Sequence, residues 1–251
     1  MVYDSLTEAP HNLKEGIDWL VALKGTDAER NLKAMSAALH KFLADKPVGK
    51  MEVPALEDIK KSTKEFIGQQ SVKDLWPASE LLGRFSKRMN KSIHFKFFGT
   101  VDESDYKNVV KSRGLKPEDI AANLAKAVDG CEKFLEKIKS ADQYKSAYSS
   151  EATWEASCAK DPEACAVVLV GIAPMLYTGL RSLRFASHAS RFNWVPFSKK
   201  INLGSVLEAL GYKGAERRAN MSGSYVFEAL ENVKLKMLIT LYDLSGFWAF
   251  Y

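Results

Sequence analysis

The chemistry-bearing residues of this sequence are three cysteines, four histidines and one aromatic-basic stretch. Cys158 and Cys165 flank the segment Asp161-Pro162-Glu163, and Cys131 lies well upstream. A short loop can bring Cys158 and Cys165 within bridging distance, which would leave Cys131 as a lone thiol. Three buried or free thiols satisfy the same spacing, so both readings stand. A tetrahedral zinc site is the weaker reading. His11, His40, His94 and His188 are scattered, with no ligand-like spacing near the cysteines.

The aromatic-basic stretch is RFNWVPFSKK, residues 191–200. Phe192, Trp194 and Phe197 stand between Arg191, Lys199 and Lys200. Rings interleaved with cations can stack on nucleic acid or anchor a protein partner. The structural alternative is that Trp194 and Phe197 plug the end of a helical bundle while their basic neighbours stay wet. The candidate partner-binding residues are therefore Arg191, Phe192, Trp194 and Phe197. Overall charge speaks against nucleic acid: 36 basic and 31 acidic residues give a net charge of +5, with no block of five like charges.

Catalytic constellations are missing from the sequence. There is no G-x-S-x-G elbow, no H-E-x-x-H and no G-x-x-x-x-G-K-[ST] phosphate loop. Leu169-Val170-Gly171-Ile172-Ala173 carries one glycine, without a phosphate-cradling pattern. Carboxylates at i, i+4, such as Glu151 and Glu155, read as solvated helix faces. No histidine has a cysteine or serine companion at a diagnostic spacing. The chain reads as non-enzymatic, with no catalytic, cofactor-binding or metal-binding residue.

The elements that must position these residues are helical. Residues 154–188 contain the longest apolar run, Ala164 to Tyr177. Asp161 can cap a helix start, Pro162 suits a first turn that needs no amide hydrogen, and Glu163 complements the helix dipole. A helix apolar on all sides needs neighbours on all sides. The expected fold is therefore an all-α, multi-helix bundle around a central hydrophobic helix starting near Asp161. The run is shorter than the ~20 residues of a membrane span. It is interrupted by Gly171 and Pro174, and Arg181 and Arg184 follow it. No membrane span is expected, and MVYDSLTEAPHNLKEG has no signal peptide of the usual kind.

Around that helix, Asn12 to Glu15 and Thr26 to Glu29 resemble capping boxes opening two helices of a hairpin, with Gly25 between them. Pro54 opens a third helix carrying Leu56, Ile59, Phe66 and Ile67. Pro77 suits a first turn before the stripe Leu81, Leu82, Phe85, Met89. Ser92 to Asp102 reads as an irregular or short helical connection, and Ser104 to Arg113 as a short helix ending at Gly114. Pro117 starts a long helix to Ile138 whose apolar stripe includes Cys131, so burial is that thiol's expected role. Gln143 to Ser150 reads as a polar linker, and Leu203 to Leu210 as a short helix stopped by Gly211. Ser222 or Ser224 caps a last helix through Leu244. The chain then ends GFWAFY, residues that are either buried or cut from a longer protein. With 251 residues, 46% of them hydrophobic, the chain can bury one sizeable core and reads as a single domain, 1–251.

Several of these stretches resemble one family. SLTEAPHNLKEGIDWLVALKG (5–25) is similar to the LTEAPxNLKEAIDWL opening of the Babesia variant erythrocyte surface antigen family. ESDYKNVV (103–110), the cysteine-centred block at 144–180 and LYDLSGFWAFY (241–251) resemble recurring blocks of related multigene piroplasm proteins. The resemblance implies a non-enzymatic protein exported to the infected red-cell surface or secreted. The roles it implies are antigenic variation and binding of a host cell-surface or serum protein. It supplies no ligand residues. Members usually continue into further extracellular sequence and a membrane helix, so this chain would be an isolated N-terminal domain or a short secreted relative. Export would favour a Cys158–Cys165 bridge, because that environment is oxidising. The rival reading is an intracellular helical scaffold that assembles through the Trp194 segment.

Overall fold

A computed structural model describes residues 2–86, 103–191 and 201–251. The protein is all-α. Its helices in chain order are α1 (Leu13–Lys24), α2 (Ala28–Ala44), α3 (Pro54–Ile67), α4 (Ala78–Arg84), α5 (Val109–Ser112), α6 (Pro117–Ile138), α7 (Trp154–Ser157), α8 (Pro162–Arg191), α9 (Leu203–Ala209), α10 (Gly223–Ala229), α11 (Leu235–Leu244) and α12 (Phe247–Phe250). Among the described residues, extended pairing is confined to two isolated bridges, Tyr3 with Tyr148 and Lys139 with Arg217.

α8 is the axis of the bundle. Every residue from Cys165 to Leu180 is buried, and α1, α2, α3, α10 and α11 pack around the helix. By length and composition it could cross a membrane, yet 89% of its most apolar window is buried inside the fold, as befits a core helix. Asp161 Oδ1 accepts from Ala164 N at 3.2 Å, and Pro162 occupies the first turn. α1 starts as its sequence implies: Asn12 Oδ1 accepts from Glu15 N, and the Glu15 carboxylate takes the His11 amide at 2.8 Å. α2 is capped by Asp27, not Thr26.

Three segments depart from the sequence expectation, each because a distant group intervenes. The expected helix from Ser104 to Arg113 is a 3-10 turn, Glu103–Asp105, followed by the single turn of α5. Asn108 separates them. Its side-chain oxygen caps α5, while its amide donates to the carbonyls of Leu43, Ala44 and Lys46 at the end of α2. The expected last helix is broken into α10, a 3-10 turn at Leu230–Asn232 and α11, and α12 follows in the terminal GFWAFY. Arg184 of α8 donates to the Leu230 and Val233 carbonyls at that break. The expected polar linker at 143–150 is a docked segment: Tyr3 N donates to Ala147 O, Ser149 N donates to Tyr3 O, and Tyr148 is buried. Pro77 immediately precedes α4, behind a cis Trp76–Pro77 bond. Met89 and the whole of the 92–102 connection lie outside the described residues.

The apolar C-terminal residues are buried. Phe247, Trp248, Phe250 and Tyr251 close the bundle, and Gly49 N and Met51 N donate to the Trp248 and Ala249 carbonyls. One continuous core reaches from Tyr3 to Tyr251.

Candidate functional site

The cysteine corner is assembled from three elements. Thr153 caps α7 by accepting from Ala156 N, and Cys158 terminates that helix. Cys165 lies in the first turns of α8. Their sulfurs are bonded, with Cα atoms 5.8 Å apart and both residues fully buried. Ser157 Oγ accepts from Leu6 N at 2.9 Å, and Trp19 Nε1 donates to Leu6 O at 2.8 Å, so the N-terminal segment is tied to the same corner. Cys131 is a free, buried thiol on α6, and burial pushes it up to about 12. A neutral, inaccessible thiol is a poor nucleophile.

An alkylation count follows from this arrangement. The native protein is expected to take up no thiol reagent at pH 8. In denaturant without reductant it takes one equivalent, at Cys131, and after reduction three. Mass spectrometry of the intact chain reads the count; three labels without reductant would exclude the bridge. Closing so short a loop restricts the unfolded chain by about 2.5 kcal/mol, and urea unfolding of Cys158→Ser/Cys165→Ser against the parent measures that loss.

Several charged side chains are buried with partners supplied from far along the chain. Asp18 accepts from Tyr144 OH at 2.5 Å and Ala147 N at 2.8 Å and lies 3.5 Å from Lys14 Nζ. Burial raises the Asp18 carboxyl; those three donors pull it back. Lys14 also donates to Lys145 O at 2.7 Å. Lys60 Nζ donates to Phe250 O at 2.6 Å and to Glu57, and sits over the Tyr251 ring. Arg84 pairs with Asp105, which also accepts from Tyr242 OH at 2.7 Å. These groups pin connecting segments to the bundle. None combines a nucleophile with a base in a cleft.

Of the residues singled out for partner binding, Arg191 is the last residue of α8 and is exposed; Phe192, Trp194 and Phe197 lie outside the described residues. Arg191 is joined at the Phe227 ring by residues that the sequence reading left aside. The guanidiniums of Arg184 and Arg191 stand 5.1 and 4.7 Å from the ring centroid, and the His188 ring is 5.8 Å away. One turn back, Arg181 stands 4.2 Å over Trp76. The signal was present as the spacing 181, 184, 188, 191, which places four basic residues on one helical face. Phe227, supplied by α10, was not foreseeable from that spacing.

The remaining candidates disperse. His11 Nδ1 meets Ser62 Oγ at 2.6 Å. Glu155 forms an exposed ion pair with Arg30 at 3.4 Å, and Glu151 precedes α7 instead of sharing a helix face with it. Among the described residues no three His, Cys, Asp or Glu side chains converge as metal ligands. A shallow groove of about 300 Å³ between α6 and α11 is lined by Lys126, Lys234, Lys236 and Met237. No protein-family model, no curated protein and no solved structure matches the chain.

Proposed function

We propose that the chain is a non-enzymatic binding domain that works in an oxidising environment, displayed at the infected erythrocyte surface or secreted, as its resemblance implies. The observation that supports this most is the Cys158–Cys165 bridge, buried at the start of the central helix. Disulfides persist in secreted and surface proteins and are rare where glutathione keeps thiols reduced. The same block carries the most distinctive part of the resemblance. Its roles would be antigenic variation and recognition of a host cell-surface or serum protein. The architecture suits that work, because an α8 buried from Cys165 to Leu180 leaves the outer helices and loops to vary over a fixed core.

Antibody against the purified chain, applied to intact and then to permeabilised infected cells, tests this reading. Staining of intact cells that is lost after surface proteolysis is the expected result. Staining only after permeabilisation would place the chain inside the parasite and overturn it.

A further inference from the structure

We infer that the face at the C-terminal end of α8, formed by Arg181, Arg184, Phe185, His188 and Arg191 with Phe227 of α10, docks an acidic segment of another protein. The inference rests on reading the chain as a binding domain, but not on the compartment in which it works.

These α8 positions follow the spacing i, i+3, i+4, i+7, i+10, which keeps them on one side of the helix over about 15 Å. The guanidiniums are preorganised. Arg181 lies on Trp76, while Arg184 and Arg191 lie on Phe227. Stacking fixes the plane of a guanidinium, and the donors not used inside the fold can take a carboxylate in a fork. Among the described residues neither Arg181 nor Arg184 meets a carboxylate. Arg184 donates to two backbone carbonyls, and Arg181 Nε is buried without a hydrogen-bond partner. Burial lowers the Arg181 pKa; Tyr177 beside it works the other way, and the charge of Arg184 adds to the lowering.

Phe185 identifies the occupant. It is 43% exposed, one of few large apolar side chains left in water among the described residues, and it lies four residues from Arg181 and three from His188. A sulfated polysaccharide or a nucleic-acid backbone would use the cations and gain little from one outward phenylalanine. A protein segment with an apolar side chain between carboxylates uses both. The net charge of +5, spread over a mixed surface, is not that of a polyanion-binding track.

The test uses the full chain and a synthetic helical peptide of about four turns, carrying glutamate pairs one turn either side of a leucine. Its binding is followed by fluorescence anisotropy. Saturable binding is expected, weakened by added salt and roughly tenfold weaker when glutamine replaces glutamate. Arg184→Gln and Phe185→Glu are each expected to weaken it about tenfold. Phe185 is exposed, so its variant tests the surface without touching the core, and circular dichroism of both variants checks that they fold. Equal binding of the glutamine peptide, unchanged binding by Phe185→Glu, or binding of heparin in place of the peptide would each overturn the proposal. Intracellular staining would leave it standing, and failure of the peptide would leave surface display standing.

Discussion

Replacing Asp105 with Leu is expected to destabilise the protein by about 3–5 kcal/mol, and Arg84→Met by a similar amount. The double variant should be far closer to the parent than either single. The side chains of Arg84 and Asp105 are 4% and 0% exposed, so neither charge is served by water. Tyr242 OH donates to the carboxylate, and the rings of Tyr242 and Phe247 lie 5.5 and 5.4 Å from the guanidinium. Removing one ion takes from the other, which stays buried, the opposite charge it is paired with; removing both removes that mismatch. The pair joins α4, the turn at Glu103–Asp105 and the C-terminal helices. Urea unfolding of the four proteins measures the coupling. Single losses below about 1 kcal/mol that simply add would mean that the pair is solvated.

This pair also marks where the sequence stops being legible. α1, α2, α3 and α6 can be read locally, because a capping residue, a first-turn proline and an apolar stripe all lie within one helix's length. Residues such as Lys14, Asp18, Lys60, Arg84 and Asp105 look like ordinary surface charges, since what buries them arrives from elsewhere. Asp18 is satisfied by Ala147 and Lys60 by Phe250, more than a hundred residues away in each case. The breaks in the C-terminal helix have the same origin, with Arg184 taking the carbonyls that a continuous helix would have bonded internally. The candidate surface is partly legible for a matching reason. A basic stripe on one helix is periodic in sequence, but the ring on which Arg184 and Arg191 stack comes from α10.

Gly171→Leu is expected to cost about 3 kcal/mol or more, at or beyond the upper end of ordinary overpacking, and to lower the melting temperature by about 6–12 °C. In the sequence Gly171 is merely a weak helix former within an apolar run. In the fold it is where α3 crosses α8. A β-carbon there would lie 2.5 Å from Ile59 Cγ2 and 2.8 Å from Ile59 Cβ, and Thr63 Oγ1 holds the crossing by donating to Gly171 O at 2.8 Å. Neither helix can retreat without breaking that bond and opening the core behind it. Ile59→Ala makes room, so the double variant should cost clearly less than the sum of its singles. Gly83→Ala is the control. Nothing lies within 4 Å of its β-carbon, so in α4 it should raise stability by about 0.5–1 kcal/mol. A Gly171→Leu protein as stable as the parent would mean that the helices do not cross so closely. The arginine face begins about three turns further along α8, so the fraction of Gly171→Leu that remains folded should still bind the acidic peptide. That separates the helix's work as an axis from its work as a surface.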